Sequence, residues 1–180
     1  MGATSSRPTP QITVNTPGAD VPVIPPIAIL ALYVLSFLLA KYVDRFRWLP
    51  DGFLSSKVVR VAVFAMGFTA FLTTTFLPAR DALHAADSGI AFTPTGAVAT
   101  QGPYELTRNP LYAATIFMFM PLIALLFDSG WLLVAIAPMF VYLDRVVIPG
   151  EEAFLAREFG SYEAYMAGTP RWLDVSKLLS

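Results

Sequence analysis

The sequence predicts an all-α fold: a polytopic membrane helical bundle of about four transmembrane helices, followed by short C-terminal interfacial helices. Three observations carry this. Only 14% of the 180 residues are charged against 56% hydrophobic, with mean hydropathy +0.60, whereas soluble domains carry roughly 25% charge. Apolar runs recur at lengths near the about 20 residues that a helix needs to cross a bilayer. Proline and glycine stand at the ends of these runs, where helix boundaries belong.

The elements follow in order. Residues 1–22 are rich in Pro, Thr and Ser (Arg7-Pro8-Thr9-Pro10, Thr16-Pro17-Gly18) and show no hydrophobic period, so they are expected to form a disordered or extended tail. Met1-Gly2 with Ser6 fits the loose N-myristoylation pattern, a match that a Ser/Thr-rich tail also meets by chance. The tail lacks the order of a secretory signal, a basic start followed directly by an apolar stretch. Residues 23–180 are expected to form a single membrane domain. Segment one runs from Ile24 to Val43 and opens on Pro25-Pro26. Segment two runs from Val58 to Leu77 and is expected to stop at Pro78. Segment three runs from Pro110 to Phe127, with Pro110 suited to a first helical turn. Asp128-Ser129-Gly130 forms a tight turn. Segment four runs from Trp131 to Ile148 and is expected to stop at Pro149-Gly150. The last two segments hold about 18 residues, roughly 27 Å of helix, and are expected to pack as a close pair. Pro121 and Pro138 are expected to kink them, neighbouring groups absorbing the lost hydrogen bonds.

Between the second and third segments, Arg80 to Asn109 reads as a long polar connector with Gly89, Pro94, Gly96, Gly102 and Pro103. Connectors of this length are functional or disordered, and this one ends in a dense polar cluster. After Glu151 a short amphipathic helix is expected, with Phe154, Leu155 and Phe159 on its apolar side and Gly160 as C-cap. Ser161 then caps a last short helix carrying Tyr162 and Tyr165. These tyrosines and Trp172 also suit an interfacial aromatic belt.

Composition excludes several chemistries. Net charge is −1 and there is no Cys, so no basic field recruits nucleic acid, and thiolate sites and disulfides are absent. His84 is the only histidine, which leaves no imidazole set for a metal. It reads as a solvated loop side chain. No Gly-x-Gly occurs, so a dinucleotide fingerprint and a P-loop are missing. Thr73, Thr74 and Thr75 read as helix back-bonding residues.

The remaining chemistry lies in two polar clusters that flank the hairpin of segments three and four. The first is Gln101-Gly102-Pro103-Tyr104-Glu105-Leu106-Thr107-Arg108-Asn109-Pro110-Leu111-Tyr112. The second is Pro149-Gly150-Glu151-Glu152, continued by Phe159-Gly160-Ser161-Tyr162-Glu163-Ala164-Tyr165 and Thr169-Pro170-Arg171-Trp172. A chain that enters the membrane and returns brings Arg108 and Glu151/Glu152 to one face. Charges at a membrane boundary are either snorkelling side chains or a site. Glu151 and Glu152 are separated by about 100° of helical rotation, so one faces inward. A carboxylate pair beside an Arg suits a cationic or zwitterionic ligand. Asp144 requires a partner, with Arg145 or Arg108 the candidates.

The order Gly-Pro-Tyr, Arg-Asn-Pro-x-Tyr, apolar hairpin, Glu-Glu, Phe-Gly-x-Tyr-x-x-Tyr, Pro-Arg-Trp resembles the isoprenylcysteine carboxyl methyltransferase superfamily, which includes phospholipid N-methyltransferases. The likeness covers about residues 93–173. It implies an integral-membrane enzyme that takes S-adenosylmethionine in a pocket of the last helices and tail, open to the cytosol, with a lipophilic or small-molecule acceptor entering from the lipid bilayer. By position it implies Gly102, Pro103, Tyr104, Arg108, Asn109, Pro110, Tyr112, Glu151 and Glu152 at the cofactor, with Arg108 and Glu152 catalytic. Asn109 stands where His is commoner. Relatives that methylate prenylated cysteine tend to carry a basic residue just before the tail's Val-Pro, and Gly168-Thr169-Pro170 has none. The acceptor is therefore open among carboxylate, amine and thiol. A count of Lys41, Arg45, Arg47, Lys57 and Arg60 places the first connector in the cytosol. The resemblance implies the opposite end there, and the expectation follows the resemblance. The alternative is a non-catalytic four-helix membrane module that is structural or partner-binding. A transporter is disfavoured, since neither an internal repeat nor a broken helix pair is evident.

Overall fold

The computed structural model describes residues 25–44, 46–87 and 97–173. The tail 1–22, Arg45, Gly89, Pro94, Gly96 and Lys177 lie outside the described residues. Helices α1 (Pro25–Tyr42), α2 (Lys57–Ala85), α4 (Pro110–Phe127) and α5 (Gly130–Glu158) are each long and apolar enough to span a membrane. A short α3 (Pro103–Leu106) precedes α4, and α6 (Tyr162–Gly168) follows α5. No strand occurs among the described residues.

The four long helices pack in the spatial order α2, α4, α5, α1. The core lies between α4 and α5, where Ile116 and Met120 meet Ala135, Met139, Leu143, Val147 and Ile148. These positions recur every four residues, so each helix presents one stripe to the other. The outer helices bury little: α2 contains only one buried residue, Ala79, and α1 only Pro25 and Ser36. Ile27, Leu30, Val34, Leu35, Phe37 and Leu38 of α1 point outward. Water does not tolerate so large an apolar face, whereas lipid tails solvate it.

Two helices are longer than their proline stop signals predict. α2 continues through Pro78 to Ala85, which puts Arg80 and His84 on a helix rather than in a connector. α5 continues through Pro149-Gly150 to Glu158, so the amphipathic stretch after Glu151 is the end of α5 itself. The reason is a π turn placed two residues before each proline: Leu72–Phe76 before Pro78, Thr115–Phe119 before Pro121 and Leu143–Val147 before Pro149. A helical proline donates no hydrogen bond and its ring strikes the carbonyl four residues back. Here the residue before each proline bonds five residues back: Leu77 to the Leu72 carbonyl, Met120 to Thr115 and Ile148 to Leu143. The widened turn relieves the clash and the helix goes on. Pro138 is accommodated differently, by a turn at Ala135 that separates two α-helical stretches within α5. At 29 residues, α2 and α5 each reach about 43 Å, beyond the about 30 Å hydrocarbon core. α5 thereby carries Glu151 and Glu152 to or past the membrane edge.

The expected cap at Gly160 is not formed. α5 ends on an extended Phe159 (φ −128°, ψ 104°), whose N–H bonds to the Leu155 carbonyl. Ser161 does stand at the start of α6, but its side chain makes no capping bond. The threonines of α2 do back-bond, Thr73 to the Thr69 carbonyl and Thr74 to the Ala70 carbonyl.

The turn between α4 and α5 is locked by the first connector. Asp128 adopts a left-handed conformation (φ 49°). Its carboxylate, 3% exposed, receives Arg47 Nε at 2.6 Å and lies 3.3 Å from Arg60 Nη1, with the Leu49 N–H at 3.1 Å. Burial raises the Asp128 carboxyl, but the Arg47 hydrogen bond, the Leu49 N–H and the Arg47 charge outweigh it and hold the group below the usual carboxylate range. Phe46 lies across Gly130, where a Cβ would stand 2.6 Å from its ring. Two of the arginines in the positive-inside count are thus committed to one buried acid.

Candidate functional site

At the opposite end of the hairpin, the chain before α4 and the tail after α6 are tied together. Gly102 sits at φ 61°, ψ −129°, a conformation that glycine adopts without the Cβ penalty. This turns the chain into α3, with Pro103 at its first position and Glu105 Oε1 accepting the Gly102 N–H. Thr107 is buried and extended. Its hydroxyl donates to the Arg171 carbonyl at 2.8 Å, and the Arg108 N–H donates to the Pro170 carbonyl at 2.9 Å. Asn109 Nδ2 adds a bond to the Arg171 carbonyl at 3.2 Å. Tyr165 Oη donates to the Tyr104 carbonyl at 2.7 Å. The resulting clasp seats residues 166–172 against the start of α4.

The charges meet inside this clasp. Arg108 donates from Nε (3.1 Å) and Nη2 (2.7 Å) to Glu152 Oε1. Its Nη1 bonds the carbonyls of Met166 (2.8 Å) and Thr169 (3.0 Å). Arg171 Nη2 takes the other oxygen, Glu152 Oε2, at 2.6 Å, and its Nη1 lies 3.5 Å from Asp144 Oδ1. Trp172 Nε1 donates to that Asp144 oxygen at 2.8 Å. The Trp172 ring packs on Phe140 (centroids 5.0 Å apart) and edge-on to Phe117 (6.1 Å). Glu151 stands apart from this lattice. It accepts one hydrogen bond, from Tyr112 Oη at 2.7 Å, and pairs with no cation among the described residues.

Burial, foremost, pushes the Tyr162 phenol up to about 12 and raises Tyr104 and Tyr165 as well. These phenols stay protonated at neutral pH, and Tyr165 uses its proton as a hydrogen-bond donor. The Glu152 hydrogen bond is the main cause that holds the Arg171 guanidinium above its ordinary range.

The hairpin therefore joins Arg108 to Glu152 and Tyr112 to Glu151. Gly102, Pro103 and Tyr104 border the same clasp through α3, and Pro110 begins α4 beneath it. For Asp144 the sequence offers Arg145 or Arg108 as partner. Its principal partners are Trp172 and Arg171, while Arg145, 79% exposed, approaches its outer oxygen at 3.2 Å. Arg108 is not a partner, because Glu152 and two carbonyls take its donors. Arg171 and Trp172, which sequence reasoning treated as a motif ending and a belt residue, are integral to the cluster. Only the return of the tail reveals this, and the one signal for it was the Pro-Arg-Trp order.

The sequence profile of the phospholipid methyltransferase family matches residues 57–162, from the start of α2 to the start of α6. The match contains Arg108, Asp144, Glu151 and Glu152 and stops before Met166, Thr169 and Arg171. Searches of curated proteins and of solved structures find no significant match. With more than half of its length in that match, and with the matched long helices apolar enough to span a membrane, the chain belongs to the phospholipid methyltransferase family.

Proposed function

We propose that the protein transfers a methyl group from S-adenosylmethionine to a lipophilic acceptor at the membrane face. Family membership implies membrane methyltransferase activity. The observation that supports the cofactor is the donor set. Two guanidiniums and three carboxylates converge at one end of the hairpin, and their signs complement the carboxylate, ammonium and sulfonium of this methyl donor. Bound S-adenosylmethionine supplies a methyl group already activated by positive sulfur.

The residues divide the work. Arg171, 32% exposed, is free to turn its fork from Glu152 to a ligand carboxylate. Glu152, released on that side, accepts a ligand ammonium. Arg108 holds Glu152 and the tail in place and is chiefly a positioning residue. Gly102, Pro103, Tyr104, Asn109, Pro110 and Tyr112 shape the walls. The Phe117, Phe140 and Trp172 rings give the cluster an apolar flank toward lipid, Phe117 being 55% exposed, which suits an acceptor arriving from the bilayer. Aligning donor and acceptor is then the main catalytic task. The same face is assigned to the cytosol, and a reporter fused after Ser180 that proves non-cytosolic refutes that assignment.

The test is a transfer assay. Purified protein is incubated with methyl-labelled S-adenosylmethionine and a total lipid extract, then partitioned. Label is expected in the organic phase for wild type and not for Glu152→Ala. Absence of label from every lipid and metabolite fraction contradicts the proposal.

A further inference from the structure

The end of the hairpin opposite the clasp carries more positive charge than its acids neutralise. Residues 41–60 hold Lys41, Arg45, Arg47, Lys57 and Arg60 against Asp44 and Asp51, and the turn adds Asp128, so five bases face three acids. The excess is concentrated at one place. Arg47 Nε and Arg60 Nη1 reach the same Asp128 oxygen, at 2.6 and 3.3 Å, so two guanidiniums stand side by side on a single negative charge. That carboxylate is buried, and its other oxygen accepts the Leu49 N–H. Arg60 Nε is enclosed and has no hydrogen-bond partner, an exception that calls for a physical reason. Arg47 is 46% exposed, and of its donors only Nε is bonded among the described residues. Lys57, exposed one helical turn before Arg60, adds a third cation on that side of α2.

The setting defines the ligand. Phe46, Trp48, Phe53 and Leu54 of the same connector are exposed. The Trp48 and Trp131 indoles are pinned by N–H bonds to the Ala124 and Asp44 carbonyls. Fixed indoles and exposed apolar side chains interleaved with arginines belong at the level of lipid headgroups. A phosphate diester there offers its unesterified oxygens to the guanidinium forks and its acyl chains to the apolar side chains. We propose that Arg47 and Arg60, held by Asp128, form a phosphate site that binds the headgroup of an anionic phospholipid at the membrane face opposite the clasp. A lipid of net negative charge matches the local excess of bases. A zwitterionic one brings an ammonium that the buried, occupied Asp128 is not free to take. A free phosphate ion presents the same oxygens without the chains. Bound here, the lipid bridges the first connector and the α4–α5 turn and stabilises the hairpin. The inference is independent of the methyltransferase reading, which concerns the other end.

The experiment uses the full-length protein, delipidated in dodecylmaltoside and titrated with phosphatidylglycerol, phosphatidylcholine or sodium phosphate at constant ionic strength. Thermal unfolding reads stabilisation and native mass spectrometry reads lipid adducts. Wild type, Arg47→Gln, Arg60→Lys and Arg157→Gln are compared. Arg157, 70% exposed near the far end of α5, is the control that removes the same charge away from the site. Wild type is expected to be stabilised by phosphatidylglycerol well above phosphatidylcholine, with one tight adduct per chain. Arg47→Gln is expected to weaken phosphatidylglycerol about tenfold, and Arg157→Gln to behave as wild type. Arg60→Lys keeps the charge beside Asp128 but loses the fork, and is expected to weaken the lipid as well, so the two site variants test the proposal separately. Stabilisation by sodium phosphate equal to that by phosphatidylglycerol, and equally dependent on Arg47, keeps the phosphate site but refutes the lipid as its source. Equal responses to the two lipids, phosphatidylglycerol binding unchanged in both site variants, or an equal loss in Arg157→Gln overturns the proposal.

Discussion

Arg108→Ala removes more than a charge. The Arg108 and Glu152 side chains are 11% and 10% exposed, so their pairing belongs to the buried class, in which deleting one member costs about 3–5 kcal/mol. Arg171 moderates this, because its Nη2 remains 2.6 Å from Glu152 Oε2 and the carboxylate keeps one cation. That favours the lower end, about 3 kcal/mol. The carbonyls of Met166 and Thr169 also lose their donor, adding up to about 1 kcal/mol each where water cannot substitute. The sum is about 3–5 kcal/mol. Arg171→Ala is the control: its side chain is 32% exposed, so screening reduces its loss to about 1 kcal/mol. Thermal unfolding in detergent gives the ranking, and hydrogen exchange of amides 162–169 locates the effect. Arg108→Ala is expected to unfold at markedly lower temperature with the tail amides exchanging faster. Equal small losses in both variants, with tail protection unchanged, refute the assignment of Arg108 as the residue that holds the tail.

Further outcomes follow from the opposite end of the hairpin. Asp128→Asn leaves Arg60, 14% exposed, without its counter-charge, while the share of Arg47, 46% exposed, is screened. The expected loss is about 2–3 kcal/mol in thermal unfolding. The folded state depresses the Asp128 carboxyl, so its contribution is fully present above about pH 3.9 and is lost as pH falls through the lower folded value. The wild-type protein should therefore lose stability below about pH 4 more steeply than Asp128→Asn, as read from melting temperature against pH. Gly130→Ala places a methyl 2.6 Å from the Phe46 ring and should cost about 1–3 kcal/mol, with increased exposure of Trp48 and Trp131 in fluorescence quenching. Deleting Val146 from the π turn Leu143–Val147 restores an α-helical register. It rotates Glu151 and Glu152 by about 100° and should abolish donor binding while α1, α2 and α4 still insert.

The four spans were legible because lipid selects for length and apolarity, properties that need no neighbour. The meeting of Arg108 with Glu152 was legible for a related reason, since an apolar hairpin returns its flanks to one face. The ends of α2 and α5 were not. Pro78 and Pro149 read as stops, and only a π turn two residues earlier, invisible in residue type, lets the helix continue. Gly160 read as a cap, but the chain leaves α5 through an extended Phe159 instead. The partners of Asp144 were hidden because Arg171 and Trp172 reach it through a tail fold set by bonds from the Thr107 hydroxyl and the Arg108 N–H to tail carbonyls. The pairing of the first connector was hidden for a parallel reason: Arg47 and Arg60 answer to Asp128, a residue some 70 to 80 positions away.

The central claim is that the clasp around Glu152 is a site for a methyl donor and not only a structural lock. Calorimetric titration of the purified protein with S-adenosylhomocysteine in several detergents and nanodiscs tests it most directly. Saturable binding at one site per chain, lost in Glu152→Ala, is the predicted result. A wild-type protein that is folded, retains tail protection in hydrogen exchange and binds nothing contradicts the account, and leaves the charges as a structural clasp alone.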